Sequence, residues 1–370
     1  MKRPRVMHII GCLAPYGSER SMLNVCLSLR DRYEPIVLAF GGGTLARTLA
    51  DEGIQFETMS SAETEEGSLW RRFEFCRNRI RRYQPDLVHT HYAYSNVLGR
   101  LAAHMQGIPT VGHIRGPERL SGTLLYRTAY RVAHHGRTRL VAVSRGLADV
   151  VEAATGLRPL TIYNAVDEAA LFPESGVPAD LNRELGVDDG AYLVGTVGRV
   201  EPRKDYPSLL RCAQKVCRAA PDLHFVCVGD GRQREDMERL RDEMGLSGRV
   251  HFLGYRDDIG AILQRLDVFI STALAEGLPR VVLEAMWAGL PVVGTRVLGT
   301  EETIIDGQQG FLVPAGDDEA MAERILQLYR DPQLREQMGQ QAYERVRDKF
   351  SLDALARSID ALYRELLGMP

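Results

Sequence analysis

Two glutamates with seven residues between them, in Glu276-Gly-Leu-Pro-Arg-Val-Val-Leu-Glu284, and a basic run, Gly198-Arg199-Val-Glu-Pro-Arg203-Lys204, carry the residue types best suited to chemistry. Pro279 suits the first position of a helix, which puts Glu284 in that helix's first turns. The N–H groups at a helix start favour a phosphate, and Gly277 lets a ligand come close to the backbone. Two carboxylates touching a phosphate would repel it, so they are better placed to accept hydrogen bonds from sugar hydroxyls. In the basic run, Arg199 offers a bidentate fork and Lys204 a point charge. Together they would clamp a diphosphate and stabilise its departure as a metal would. On spacing alone, a loop charge at Glu276 and a solvated residue at Glu284 explain the first segment equally well. A merely solvated basic loop explains the second.

Both segments follow apolar runs that read as strands, residues 268–271 and 193–197. The surrounding pattern predicts strands over 6–12, 34–40, 86–90, 110–114 and 140–144, with helical periodicity between them. It restarts with strands over 192–198, 224–228, 250–252, 268–271 and 291–295. Strands alternating with helices imply a parallel sheet covered on both faces, here twice over: an α/β chain of two Rossmann-like doubly wound domains. In such domains ligands meet the carboxyl ends of the strands, where both candidate segments fall. The join between the two is expected near Val166–Pro178, where Pro173, Gly176 and Pro178 break local structure. A final amphipathic stretch, 351–367, carries Leu352, Leu355, Ile359, Leu362, Tyr363 and Leu366 on one helical face.

The 370 residues favour two domains over one, and 45% hydrophobic with 26% charged residues is ordinary for a globular chain. Six cysteines lie in apolar segments without metal-site spacing, which points to reduced core thiols in a cytoplasmic protein. No run of roughly 18 apolar residues suggests a membrane span. The apolar stretch after Met1-Lys-Arg-Pro-Arg is short, lacks a cleavage site and reads as a first strand. The net charge of −3 conceals a split: residues 1–165 hold 22 Lys and Arg against 14 Asp and Glu, the remainder 24 against 35. That split suggests an anionic partner for the first half. Arg71, Arg72, Arg79 and Arg82, on a predicted helix whose buried stripe is Leu69, Phe73, Cys76, Ile80 and Tyr83, form a basic surface to which Arg115, Arg119, Arg127 and Arg131 would add. Peripheral contact with the anionic inner leaflet and a merely solvated face both fit this pattern. No nucleic-acid recognition motif accompanies the charge.

Taken together, these segments resemble the family 4 glycosyltransferases, whose GT-B fold sets two Rossmann-like domains across a cleft. The family's Glu-x7-Glu mark is matched by Glu276 and Glu284, and its diphosphate-binding pair by Arg199 and Lys204. Phe252-Leu-Gly-Tyr255, Glu284-Ala-Met-Trp-Ala-Gly289, Gly310-Phe-Leu-Val-Pro314 and Ile162-Tyr-Asn164-Ala-Val-Asp167 are similar to the family as well. The resemblance implies an acceptor domain over residues 1–166, a donor domain over 167–350, and a C-terminal helix, 351–370, packed back on the first. It implies that Glu284 holds the donor ribose and Glu276 the donor sugar. Arg199 and Lys204 would take the diphosphate with the backbone of Gly277 and Leu278. Tyr255 and Arg256 would meet the base through their backbone. Gly17 would lie in a first-domain loop closing on phosphate and acceptor, and His113 would face the donor sugar.

The implied reaction retains anomeric configuration, uses a nucleotide-sugar as substrate with UDP the default, and needs no metal or other cofactor. The acceptor would be a saccharide or lipid-linked sugar of a cell-surface polysaccharide or glycolipid. Three segments depart from the family pattern: Gly17-Ser-Glu-Arg20, Arg115 two residues after His113, and Val297-Leu-Gly-Thr300. The first two bear on acceptor geometry and the third on the diphosphate. His89, His91, His134 and His135 read as structural or solvated. A GT-B phosphorylase, a nucleotide-sugar epimerase or a non-catalytic nucleotide-sugar-binding protein would present the same motifs.

Overall fold

Many strand segments of this chain are nearly continuous apolar runs, such as Val-Met-His-Ile-Ile and Phe-Val-Cys-Val, which suits sheets covered on both faces. The computed structural model describes residues 3–14, 17–59, 69–116, 124–134, 136–173 and 180–370. The chain divides into two compact units, Met1–Ala165 with Leu352–Pro370, and Val166–Ser351. In the first, strands β1 (Arg5–Ile10), β2 (Glu34–Ala39), β3 (Gln55–Thr58), β4 (Leu87–His91), β5 (Thr110–Ile114), β6 (Thr138–Ala142) and β7 (Leu160–Thr161) form one parallel sheet in the order β3-β2-β1-β4-β5-β6-β7. In the second, β8 (Tyr192–Val197), β9 (Leu223–Val228), β10 (Val250–Gly254), β11 (Val268–Ser271), β12 (Val292–Thr295) and β13 (Gly310–Val313) form another in the order β10-β9-β8-β11-β12-β13. Each unit is thus a Rossmann-like doubly wound α/β layer. Each reverses strand order at one point, between β1 and β4 or between β8 and β11, where such sheets open a crevice at their carboxyl edge.

The expected strands are present with ends moved by a few residues. Gly11 and Cys12 leave the sheet, so the first strand stops at Ile10. Three strands are additional. Gln55–Thr58 is polar and lies on the sheet edge, and Leu160–Thr161 has only two residues, so neither carries a period-2 signal. Gly310–Val313 is four residues long.

The C-terminal helix Leu352–Leu367 buries Leu355, Ile359, Leu362, Tyr363 and Leu366 against Val6, Leu87, Val111 and Val141 on one face of the first sheet. Each large aliphatic side chain buried this way contributes roughly 1.5–3 kcal/mol. Asp360, on the same helix, accepts hydrogen bonds from the Tyr33 hydroxyl at 2.9 Å and the Arg32 guanidinium at 2.5 Å. The last residues of the chain are therefore integral to its first unit.

Candidate active site

In the second unit the carboxyl ends of β8 and β11 each open into one of the candidate segments. After β8, Pro202–Lys204 makes a single 3-10 turn and Asp205, at φ 49°, starts the helix Tyr206–Ala219. Aspartate tolerates that left-handed conformation, and its carboxylate caps the helix by accepting from Ser208. The turn is tied to the exit of β11. The Thr272 hydroxyl donates to the Lys204 carbonyl at 2.6 Å, and the Leu274 N–H donates to the Arg203 carbonyl at 2.8 Å. These two bonds place the Lys204 side chain against Glu276: Nζ lies 2.6 Å from Oε1, with both side chains largely buried. Gly198 leaves room for the lysine stem, because a Cβ there would sit 3.3 Å from Lys204 Cε. Gly198, Lys204, Tyr206, Ser271, Thr272 and Val281 line a small cavity at this switch point.

After β11 the chain runs through Glu276-Gly277-Leu278 into the helix Arg280–Trp287. Pro279 caps this helix with extended backbone and is not its first helical residue, and no side chain caps the start. Glu284, buried one turn on, receives Arg280 Nη2 at 2.7 Å. An arginine in a helix's first turn opposes the helix dipole unless an anion offsets it, and here Glu284 does so. Arg280 escaped the sequence reading, as did Glu201. The latter accepts from both Arg199 and Arg203 at 3.1 Å and so draws the two guanidinium groups together. Each of the three carboxylates in these two loops, Glu201, Glu276 and Glu284, is thus held by at least one cation. This answers the repulsion foreseen between glutamates and a phosphate.

The third departure from the family pattern has a packing reason. Leu298–Thr303 is a short helix whose Gly299 N–H donates to the Glu276 carbonyl at 3.2 Å. A Cβ on Gly299 would stand 2.6 Å from the Gly277 carbonyl carbon and oxygen and 2.8 Å from Leu278 Cα, all backbone atoms. Gly299→Ala is therefore expected to cost about 1–3 kcal/mol and to push the 276–278 loop outward. Thermal unfolding would show the first effect and titration with a nucleoside diphosphate the second. An alanine variant equal to the parent in both would show that this packing does not shape the loop. Tyr255 is exposed just beyond β10, and Arg256 is held by Asp258 at 2.7 Å and Glu184 at 2.5 Å, so the Arg256 side chain is committed to ion pairs.

In the first unit, four histidines gather on one sheet face. The register pairs His8 with His89 and His91 with His113, so the four share the face that packs on the C-terminal helix. All are buried, and desolvation, followed by neighbouring positive charge, holds their pKa values low, His8 to about 3. His8 Nδ1 lies 3.0 Å from His91 Nε2, His89 Nε2 lies 3.3 Å from His113 Nδ1, and His89 Nδ1 lies 2.5 Å from the Tyr363 hydroxyl. His113, expected to face a sugar, is packed inside this group, and its Nε2 is buried with no hydrogen-bond partner among the described residues. His8, His89 and His91 offer nitrogens within 4.8 Å of one another, as metal ligands would. Imidazole binds a metal in its own ring plane, whereas His89 and His91 stack 4.2 Å apart at 25° and His8 stacks on His91 at 16°. Near-parallel rings do not direct their lone pairs at one ion, so the group fits a hydrogen-bonded stack and does not fit a metal.

Arg115 does not join the expected basic surface. It turns inward and donates to Ser21 Oγ at 2.5 Å, Asn164 Oδ1 at 2.8 Å and His91 Nδ1 at 3.1 Å. Gly17 is the first residue of the helix Gly17–Leu29 and not part of a loop. Nearby, Glu19 is buried with Cys12 Sγ 3.6 Å from it, and burial raises its pKa. On the helix Leu69–Tyr83 the buried residues are Phe73, Phe75, Cys76 and Ile80, while Leu69 is exposed. Arg79 and Arg82 both reach Glu57, and Arg72 lies over Phe40, so this surface is less basic than a count of arginines implies. Arg119 and His135 lie outside the described residues. No helix among the described residues is long and apolar enough to cross a membrane.

Comparison with known proteins places this geometry. A family model for group 1 glycosyl transferases matches residues 179–345, and one for Glycosyltransferase Family 4 matches residues 15–170. The UDP-Gal:alpha-D-GlcNAc-diphosphoundecaprenol alpha-1,3-galactosyltransferase of Escherichia coli is 28% identical over 264 residues, 68% of this chain and 68% of that protein. The lipopolysaccharide core biosynthesis glycosyltransferase LpsE of Rhizobium meliloti is 32% identical over 206 residues, 56% of this chain and 54% of that one. The crystal structure of Anabaena HepE with UDP and glucose superposes with a TM-score of 0.85 over 98% of this chain and 100% of that chain, at 23% identity, a likeness of fold.

Proposed function

We propose, from the premise that this chain belongs to the family 4 glycosyltransferases, that it moves a sugar with retained anomeric configuration from a UDP-sugar to a saccharide or lipid-linked acceptor. The observation that carries this reading is the contact of Lys204 with Glu276 beside the uncapped start of the helix Arg280–Trp287. A diphosphate there would take hydrogen bonds from the loop amides of Gly277 and Leu278, just before the helix start, and charge from Lys204 and Arg199. Glu276 would then bind sugar hydroxyls and Glu284, held by Arg280, the ribose. Tyr255 and Arg256 would meet the base through their backbone. Relatives acting in lipopolysaccharide and diphosphoundecaprenol-linked sugar synthesis support an acceptor of that class, at a membrane surface.

In this mechanism the acceptor hydroxyl attacks on the face from which the diphosphate leaves, and a diphosphate oxygen takes its proton. Negative charge then grows on the departing group, so cations placed in advance lower the barrier more than they tighten ground-state binding. The positive charge comes from Arg199 and Lys204, and chelation of divalent metals is expected to leave the rate unchanged. His113 would donate from Nε2 to an oxygen of the bound sugar, and Gly17 would leave the backbone accessible to the phosphate or acceptor.

The test is a thermal-unfolding screen with UDP, GDP, ADP and their common sugars, run with and without chelator. A ligand at a hundred times its Kd stabilises by about 2.7 kcal/mol, which raises Tm by roughly 5–10 °C in a unit of this size. UDP and one UDP-sugar should give that shift, and the anomeric proton of the product should keep the donor's configuration. Failure of every nucleotide to raise Tm would remove the reading.

A further inference from the structure

We propose that Tyr363 and Arg115 are positioning residues that set the tautomer of His113, so that its proton resides on Nε2 and its Nδ1 is held as an acceptor. The sugar-binding role of His113 rests on the reading above, whereas the proton order rests on hydrogen-bond geometry within the first unit.

Arg115 supplies the direction. A guanidinium has donors and no acceptor. His91 Nδ1, 3.1 Å from Arg115 Nη2, therefore presents a lone pair, and the longer contact of 3.5 Å to His113 Nδ1 biases that ring the same way without fixing it alone. Burial beside that cation keeps both rings neutral, which puts each single proton on Nε2. The His91 proton then points at His8 Nδ1, 3.0 Å away. On the other branch His113 Nδ1 also faces His89 Nε2 at 3.3 Å, so His89 is the donor there and its own proton is on Nε2. His89 Nδ1 is left to accept, and the Tyr363 hydroxyl at 2.5 Å donates to it. One order satisfies every contact: Tyr363 O–H to His89 Nδ1, and His89 Nε2–H to His113 Nδ1. Its end is the His113 Nε2–H, a buried donor with no partner among the described residues. A donor left in that state costs stability, and a ligand oxygen would satisfy it. The C-terminal helix, through Tyr363, thus reaches a candidate site residue in the middle of the first sheet. The ordering also explains why these imidazoles lie in hydrogen-bonded, near-parallel pairs.

Side-chain nitrogen NMR of the full chain, labelled with 15N-histidine, reads this directly. In the parent, His89, His91 and His113 should each show a protonated Nε2 and an unprotonated Nδ1. In Tyr363→Phe, which keeps the ring packed on Tyr33 and removes only the hydroxyl, His89 and His113 should become tautomer mixtures. The turnover rate should fall roughly tenfold, the loss expected of one misdirected hydrogen bond, with KM for the donor little changed. Asp360→Asn loosens the same helix without touching His89 and controls for stability. It should lower Tm and leave the histidine spectrum as in the parent. A protonated Nδ1 on His113 in the parent, or an unchanged His113 tautomer in Tyr363→Phe, overturns the proposal. If the tautomers behave as stated while His113→Ala transfers sugar at the parental rate, the proton order stands and the sugar-binding role of His113 fails.

Discussion

Lys204→Ala is expected to lower kcat/KM for sugar transfer by about 10²–10³-fold, most of it in kcat, the usual consequence of removing one prepositioned charge from a developing anion. Lys204 is not a flexible surface lysine. Its backbone carbonyl is bonded by Thr272, its stem lies over Gly198, and its ammonium meets Glu276 at 2.6 Å. Positioning of this kind is completed before substrate arrives, so little of the charge stabilisation is lost to reorganisation. The substitution also leaves Glu276 largely buried without its cation, a loss of the order of 2–4 kcal/mol after allowance for the partial exposure of the lysine. Stability and chemistry are separable by the double variant Lys204→Met with Glu276→Gln. It removes both charges, should recover most of the Tm, and should remain as inactive as Lys204→Ala. Steady-state kinetics alongside thermal unfolding would establish the difference. A single variant that loses Tm but keeps its kcat would show that Lys204 serves only the fold.

Glu284→Ala is expected to act on the other term. A carboxylate that accepts two ribose hydroxyls contributes roughly 1.5–3 kcal/mol per bond, about 3–6 kcal/mol for the pair, so KM for the donor should rise by about 10²–10⁴-fold with a smaller change in kcat. The variant leaves Arg280 without the carboxylate it meets at 2.7 Å, next to a helix start that disfavours positive charge. Arg280→Gln with Glu284→Gln removes that conflict. It should restore Tm towards the parent while donor KM stays high. Unchanged donor KM in both variants would take Glu284 out of the donor site.

How far the sequence disclosed this arrangement depended on range. The strand–loop–helix units that carry Glu276 and Lys204 were readable because each is built from a contiguous apolar run, a glycine-bearing loop and a helical period. Their meeting was not, since 72 residues separate the lysine from its carboxylate and the hydrogen bonds of Thr272 and Leu274 make the contact. Glu201 and Arg280 stood inside the segments already singled out. Neither carries a local signal of its role, which appears only with the side-chain directions. The histidines show the same limit more sharply. His89 and His91 alternate within one strand and announce a shared face, yet His8 and His113 join them only through strand register, a long-range property that spacing along the chain does not encode. Arg115 was read as a surface charge because nothing local marks an arginine after a strand as inward-facing. Its partners Ser21 and Asn164 lie 94 and 49 residues away. The edge strand Gln55–Thr58 went unseen for a different reason, being polar enough to resemble a loop.

The central claim is that a nucleoside diphosphate lies at the start of the helix Arg280–Trp287. A crystal structure of the full chain with UDP tests it most directly. The predicted result places diphosphate oxygens about 2.7–3.2 Å from Lys204 Nζ, Arg199 and the amides at Gly277 or Leu278, with the ribose hydroxyls on Glu284. UDP bound elsewhere, or bound here with Lys204 and Arg199 turned away from its phosphates, would contradict the account.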